Sequence, residues 1–159
     1  MPSVNILGSV QIFLTSKDQD RLHRIITDTI PPHLFYYSPK VRRIQGDVTL
    51  KSHLTVCFGV KNSDLDRKFR EEHFYFGTLN PAKILEVNHW PSSRHIYSVV
   101  HLVPRVDNRI YDFDKWLREV NDLSSQVPPF IPHITLCYLK YLPDVEMNRL
   151  VGQLSQKLT

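Results

Sequence analysis

Two four-residue segments of this chain repeat a pattern whose residue types could do acid–base chemistry. His53-Leu54-Thr55-Val56 and His133-Ile134-Thr135-Leu136 both read histidine, apolar, threonine, apolar, and they start 80 residues apart. The composition predicts well under one such match by chance. An imidazole titrates near neutral pH, and a threonine hydroxyl can donate a hydrogen bond to a phosphate oxygen. The repeat therefore predicts two His-Thr pairs that act on a phosphate group.

The two pairs can act together only if the fold brings them to one place. Both motifs open segments rich in β-forming residues, and side chains alternate along a strand. We therefore expect His53 and Thr55 on one face of the first strand, and His133 and Thr135 on one face of the second. If a pseudo-twofold axis relates the halves, the histidines flank one phosphodiester, one as base and one as acid. The sequence leaves open which histidine is the base, and whether the nucleophile is water or a ribose hydroxyl.

A cysteine follows each motif, and strand alternation predicts that Cys57 and Cys137 lie on the same face as the histidines. A zinc site built from these four side chains fails on reach. Residues four apart on a strand are about 13 Å apart, whereas zinc ligands lie within roughly 2.3 Å of the ion. We therefore expect no metal and no cofactor, and we interpret the cysteines as small apolar residues with reduced thiols.

The elements that must position the motifs follow from hydrophobic periodicity and turn residues. In chain order, the sequence predicts a strand over 4–15, a helix opened by a capping box of Ser16 and Gln19 and ended by Pro31-Pro32, a strand over 53–60, a helix from Asn62 or Ser63 to Glu72, hairpin strands over 83–88 and 95–103, a helix across 110–123, a strand over 133–139 and a last helix opened by Pro143. This mixture predicts one α+β or α/β domain over 1–159 with helices covering sheet.

The net charge is only +4, but a short basic stretch from Lys40 to Lys51 leads directly into the first motif. Its Arg42, Arg43 and Lys51 are candidate phosphate-binding residues, and the alternative is an ordinary solvated loop. Tyr138 is a candidate to stack on a base, although strand alternation predicts that it lies on the face opposite the histidines.

The paired motifs resemble the signature of the 2H phosphoesterase superfamily, which carries one His-x-Thr-x motif in each of two pseudo-symmetric lobes. The element order, Phe58-Gly59 after the first motif and Phe130-Ile131-Pro132 before the second also resemble that family. The resemblance implies a bilobal α+β fold in which two antiparallel sheets form a central cleft with helices outside. The lobes would cover approximately 1–80 and 81–159, with strand exchange an open alternative.

The resemblance also implies a metal-independent phosphodiesterase that acts on a ribonucleotide phosphodiester. Its substrates would be 2′-5′-linked or cyclic oligonucleotides, as for viral and phage members that destroy immune-signalling nucleotides, or RNA ends with a 2′,3′-cyclic phosphate. A non-catalytic nucleotide-binding module and a general RNA-binding protein are the alternatives from other classes. Because no secretory signal or membrane span is visible, we expect the protein in the cytoplasm, or in the host cytoplasm if it is viral or from a phage. We also expect a monomer.

Overall fold

The computed structural model describes residues 7–36, 53–61, 79–120 and 130–159, which form an α+β fold with one open antiparallel sheet. The elements are β1 (Leu7–Phe13), α1 (Ser16–Thr29), β2 (His53–Lys61), β3 (Ile84–Pro91), β4 (Tyr97–Pro104), α2 (Asn108–Val120), β5 (Ile134–Lys140) and α3 (Asp144–Leu158). The predicted α+β class is confirmed, with element ends that differ from the prediction by a few residues. The helix predicted up to Glu72 lies outside the described residues.

The two motif strands are neighbours in the middle of the sheet, whose strand order is β1-β2-β5-β4-β3. They pair antiparallel, with Leu54 opposite Ile134. Both residues lie at the beginning of their strands, so β2 and β5 overlap at their first residues and then run away from each other. The described strands thus form one sheet where two were predicted, because hydrogen bonding between β2 and β5 joins the two halves. A bilobal cleft stays a prediction.

One row of buried aliphatic side chains crosses all five strands and defines the covered face of the sheet. Leu54 and Ile134 in the centre are fully buried, and the helices contribute their apolar sides to the same core. The row consists of Ile12, Leu54, Ile134, Leu102 and Val87, each opposite the next. Because side chains alternate, the neighbouring residues on both motif strands belong to the other face.

Helix α1 begins one residue earlier than the predicted capping box. Thr15 is the N-cap, and its Oγ1 accepts a hydrogen bond from the backbone N–H of Asp18 at 3.2 Å. Gln19 donates from Nε2 to the carbonyl oxygen of Leu14 at 2.9 Å. The Asp18 carboxylate accepts from the backbone N–H of Leu79 at 2.8 Å. The capping prediction at Ser16 was therefore wrong by one residue, since threonine and serine are both good N-caps and stand side by side here.

Candidate active site

The register between β2 and β5 brings the two motifs together on one face of the sheet. Because Leu54 lies opposite Ile134 in an antiparallel pair, His53 lies opposite Thr135 and Thr55 lies opposite His133. Directly opposite residues have Cβ atoms about 4.5–5.5 Å apart, and diagonal neighbours such as the two histidines are about 7–8 Å apart. All four side chains are half-buried. A single anion can therefore contact groups from both motifs.

Each motif carries a β-bulge at its fourth residue, so the two motifs are equivalent in structure as well as in sequence. The bulged residues are Val56 in β2 and Leu136 in β5, and both are buried. They are skipped between the register pairs Gln11–Thr55 and Val10–Cys57 in the first half, and between His101–Thr135 and Val100–Cys137 in the second. The extra residue shifts the alternation of side chains by one position. The histidine and threonine before the bulge therefore share one face, and the residues after it face the opposite way from what simple alternation predicts.

The bulge in β5 overturns two predictions based on simple alternation. Cys137 and Leu139 are fully buried in the core together with Leu136, so Cys137 does not share the histidine face. Tyr138 is half-buried and lies on the same face as Thr135, not on the opposite face. One extra residue in a strand inverts the facing of every residue beyond it. The side chain of Cys57 lies outside the described part of the structure.

Tyr138 belongs to a group of three tyrosines beside the motifs. Its ring makes an edge contact with Tyr97, with centroids 5.9 Å apart, and Tyr97 stacks on Tyr36 at 4.9 Å. Burial, followed by the charge of Tyr97, raises the pKa of the Tyr138 hydroxyl. Tyr138 thus stays a candidate for substrate binding, now with a position on the motif face.

The imidazole of His133 is held by the backbone two residues before it. Its Nδ1 lies 3.0 Å from the carbonyl oxygen of Ile131. Because a carbonyl only accepts, Nδ1 carries the proton in this hydrogen bond, and Nε2 is the nitrogen that can exchange a proton with a ligand. On the other motif, Phe13 lies opposite His53, with ring centroids 5.7 Å apart. His133 thus has a backbone contact, and His53 has an aromatic contact.

A third histidine, His101, lies on the motif face opposite Thr135 and next to His133. The centroids of the two imidazoles are 5.9 Å apart, and His101 is only 1% exposed. Burial lowers the pKa of His101, the hydrogen bond of its Nδ1 to the carbonyl oxygen of Val99 raises it, and His133 lowers it further. His101 is therefore held mainly in the neutral form.

Trp90 on β3 covers His101. Its ring stacks on His101 with centroids 3.6 Å apart and meets His133 at a steep angle with centroids 4.7 Å apart. The sequence indicates no site role for either residue, because neither belongs to the repeated motif. The pairing of β3 with β4 and of β4 with β5 is what brings them to the motifs, and no short motif encodes that pairing.

Three predicted phosphate-binding residues, Arg42, Arg43 and Lys51, lie outside the described residues. Within the described ranges, no group of three or more histidine, cysteine, aspartate or glutamate side chains could hold a metal ion. No helix in the same ranges is long and apolar enough to cross a membrane.

Because the basic stretch lies outside the described residues, substrate binding by that stretch stays a prediction.

Comparisons of the chain with protein-family models, with curated proteins and with solved structures find no match. The resemblance to the 2H phosphoesterases therefore depends on the two motifs and stays a prediction.

Proposed function

We propose that this chain is a metal-independent phosphodiesterase that cleaves a ribonucleotide phosphodiester by two-histidine general acid–base catalysis. The observation that carries the proposal is the pairing of Leu54 with Ile134, because this register sets both His-Thr pairs on one face and within reach of one phosphate. Two unrelated histidines on a sheet would have no reason to share equivalent threonines and equivalent bulges.

The proposed reaction starts with one neutral imidazole, which takes the proton of the attacking hydroxyl. The nucleophilic oxygen then forms a bond to phosphorus, and the bond from phosphorus to the leaving oxygen breaks. The protonated partner imidazole gives its proton to that leaving oxygen. Water as the nucleophile produces a phosphomonoester and a free hydroxyl, whereas a neighbouring ribose hydroxyl produces a cyclic phosphate. Thr55 and Thr135 donate hydrogen bonds to the non-bridging oxygens, which carry the developing charge.

A bilobal arrangement is part of the proposal. The overlap of β2 and β5 at their first residues supports it, since β1 and β2 extend to one side of the motifs and β3, β4 and β5 to the other. The equivalent bulges at Val56 and Leu136 support a pseudo-twofold axis between the motifs. In this arrangement the phosphate lies on the axis and the basic stretch over 40–51 supplies further positive charge.

A substrate panel tests the proposal. The purified chain is incubated with a 2′,3′-cyclic nucleotide, a 2′-5′ oligoadenylate, and 3′-5′ cyclic di- and trinucleotides, with and without a chelator, and the products are separated by chromatography. We expect cleavage of at least one substrate, unchanged by the chelator. Cleavage of the linked or cyclic oligonucleotides favours the signalling substrates, and cleavage of the 2′,3′-cyclic nucleotide alone favours RNA-end processing.

Matched variants assign the activity to the motifs. His53→Ala and His133→Ala should each lose about 10²- to 10⁴-fold in rate, the usual contribution of general acid–base catalysis. His23→Ala is the control, because His23 is an exposed histidine on α1. Full activity of either motif variant, strong inhibition by the chelator, or binding without turnover across the panel would contradict the proposal.

A further inference from the structure

The ring of Trp90 has a fixed orientation with respect to two histidines. The centroid distances are 3.6 Å from Trp90 to His101, 4.7 Å from Trp90 to His133 and 5.9 Å between the histidines. These three lengths form a triangle with a right angle at Trp90. His101 therefore covers one face of the indole, and His133 lies beside its edge.

The second face of the indole has a different environment. Trp90 is 39% exposed, although one of its faces is stacked on a buried side chain. The face against His101 is covered and the edge beside His133 is partly covered, which leaves the outer face and the remaining edge to supply the exposed surface. Single exposed aromatic residues are common on protein surfaces and need no explanation. Trp90 differs from them, because its ring stacks on His101 and lies beside His133, a candidate catalytic residue.

We infer that the outer face of Trp90 is a stacking subsite for the nucleobase attached to the phosphate held by the two motifs, an inference that rests on the proposed function. A base stacked on the outer face at the spacing of His101 would lie as far from the centre of His133 as His101 does, 5.9 Å. In a nucleotide one ribose joins the base to the phosphate, so a base on the outer face and a phosphate within reach of His133 can belong to the same nucleotide. Base–aromatic stacking accepts any base, because every base has a π-face.

The motif face of β3 also carries two exposed polar side chains. Glu86 and Asn88 share the motif face of β3 with Trp90, because the three residues alternate along the strand. Both are exposed, and Asn88 donates from Nδ2 to the Glu86 carboxylate at 2.7 Å. A carboxylate and an amide oxygen can accept hydrogen bonds from base amino groups. A phosphate, in contrast, is repelled by the negative charge of Glu86 and receives no hydrogen bond from it. The neighbourhood of Trp90 thus favours a base over a second phosphate.

The test measures binding without turnover. The chain has two tryptophans, so Trp116→Phe leaves Trp90 as the only indole reporter. Adenosine 5′-monophosphate, ribose 5-phosphate and inorganic phosphate are titrated against its fluorescence. We expect quenching by the nucleotide and tighter binding of the nucleotide than of ribose 5-phosphate. Equal affinity for adenosine 5′-monophosphate and ribose 5-phosphate, or no change in fluorescence when the protein is saturated with the nucleotide, would overturn the inference.

Variants separate stacking from a purely structural role. Trp90→Ala, with binding followed by calorimetry, should weaken the nucleotide by about 5- to 150-fold, the usual loss on removing a stacking ring, and leave ribose 5-phosphate unchanged. Trp90→Phe should restore most of the nucleotide affinity. Equal weakening of both ligands by Trp90→Ala would contradict a base subsite and indicate a structural role.

The outcomes also separate this inference from the proposed function. Base-dependent quenching without cleavage of any panel substrate would leave the subsite standing and refute the enzyme. Cleavage without base-dependent quenching would refute the subsite alone.

Discussion

The pairing of Leu54 with Ile134 makes a prediction about the residues on the other face, which a pair of cysteines can test. If His53 lies opposite Thr135, the double variant His53→Cys with Thr135→Cys should form a disulfide on mild oxidation. The diagonal double variant His53→Cys with His133→Cys should not. These two proteins share one substitution and differ only in which residue of β5 carries the second thiol.

The expected difference follows from strand geometry. Directly opposite Cβ atoms are about 4.5–5.5 Å apart, within about 1 Å of the roughly 3.5–4.5 Å that a disulfide requires. The diagonal Cβ atoms are about 7–8 Å apart, which is too far for a bridge without movement of the backbone. A register slip of one residue would displace the partner by about 3.3 Å and turn its side chain to the covered face.

The assay is oxidation followed by proteolysis without reductant and mass spectrometry of the linked peptides. The single variants His53→Cys and Thr135→Cys are controls, because Cys57 and Cys137 are also present in the chain. Circular dichroism verifies that each variant is folded. A bridge in the diagonal variant at a similar rate, or no bridge in a folded opposite variant, would refute the register on which the candidate site depends.

Three further predictions concern stability, each measured by chemical denaturation. Leu54→Ala should cost about 2–5 kcal/mol and Ile134→Val about 0.5–1.5 kcal/mol, with a coupling of at least about 0.5 kcal/mol in the double variant; additive effects would contradict their contact. Thr15→Ala should cost about 1 kcal/mol through the lost N-cap, and Thr15→Ser should restore it, whereas an equal loss in both variants would refute the cap. Because burial lowers the pKa of His101 below its usual 6.5, the folded state prefers neutral His101. Its contribution to the unfolding free energy is then complete above pH 6.5 and is lost as the pH falls below that value. His101→Asn should reduce the loss of stability between pH 8 and pH 5, and an unchanged loss would contradict this account.

The motif repeat predicts the candidate site from the sequence, but the β-bulges in the two motif strands are not predictable from it. Alternation correctly places the histidine and threonine of each motif on one face, because the rule holds over three residues. The bulges at Val56 and Leu136 carry no sequence signal, since valine and leucine are ordinary strand residues. Simple alternation therefore assigns Tyr138 to the wrong face, because Tyr138 lies two residues beyond the bulge at Leu136.

The surroundings of the motifs depend on contacts between distant strands. Trp90 and His101 reach His133 only because β4 lies between β3 and β5, an order that hydrophobic periodicity does not encode. The repeated motif predicts that the first residues of β2 and β5 come close together, but not that the two strands pair within one sheet. The same contrast explains why the α+β class was predicted correctly and the number of sheets was not.

Turnover by four proteins tests the central claim most directly: the wild type, His53→Ala, His133→Ala and the double variant, on the panel substrate that the wild type cleaves fastest. If both imidazoles act on one phosphodiester, each single substitution removes most of the rate and the double variant is barely slower than either single variant, because the two residues work as a unit. Independent, multiplicative losses, a single variant with nearly full activity, or a wild type that cleaves nothing in the panel would contradict it.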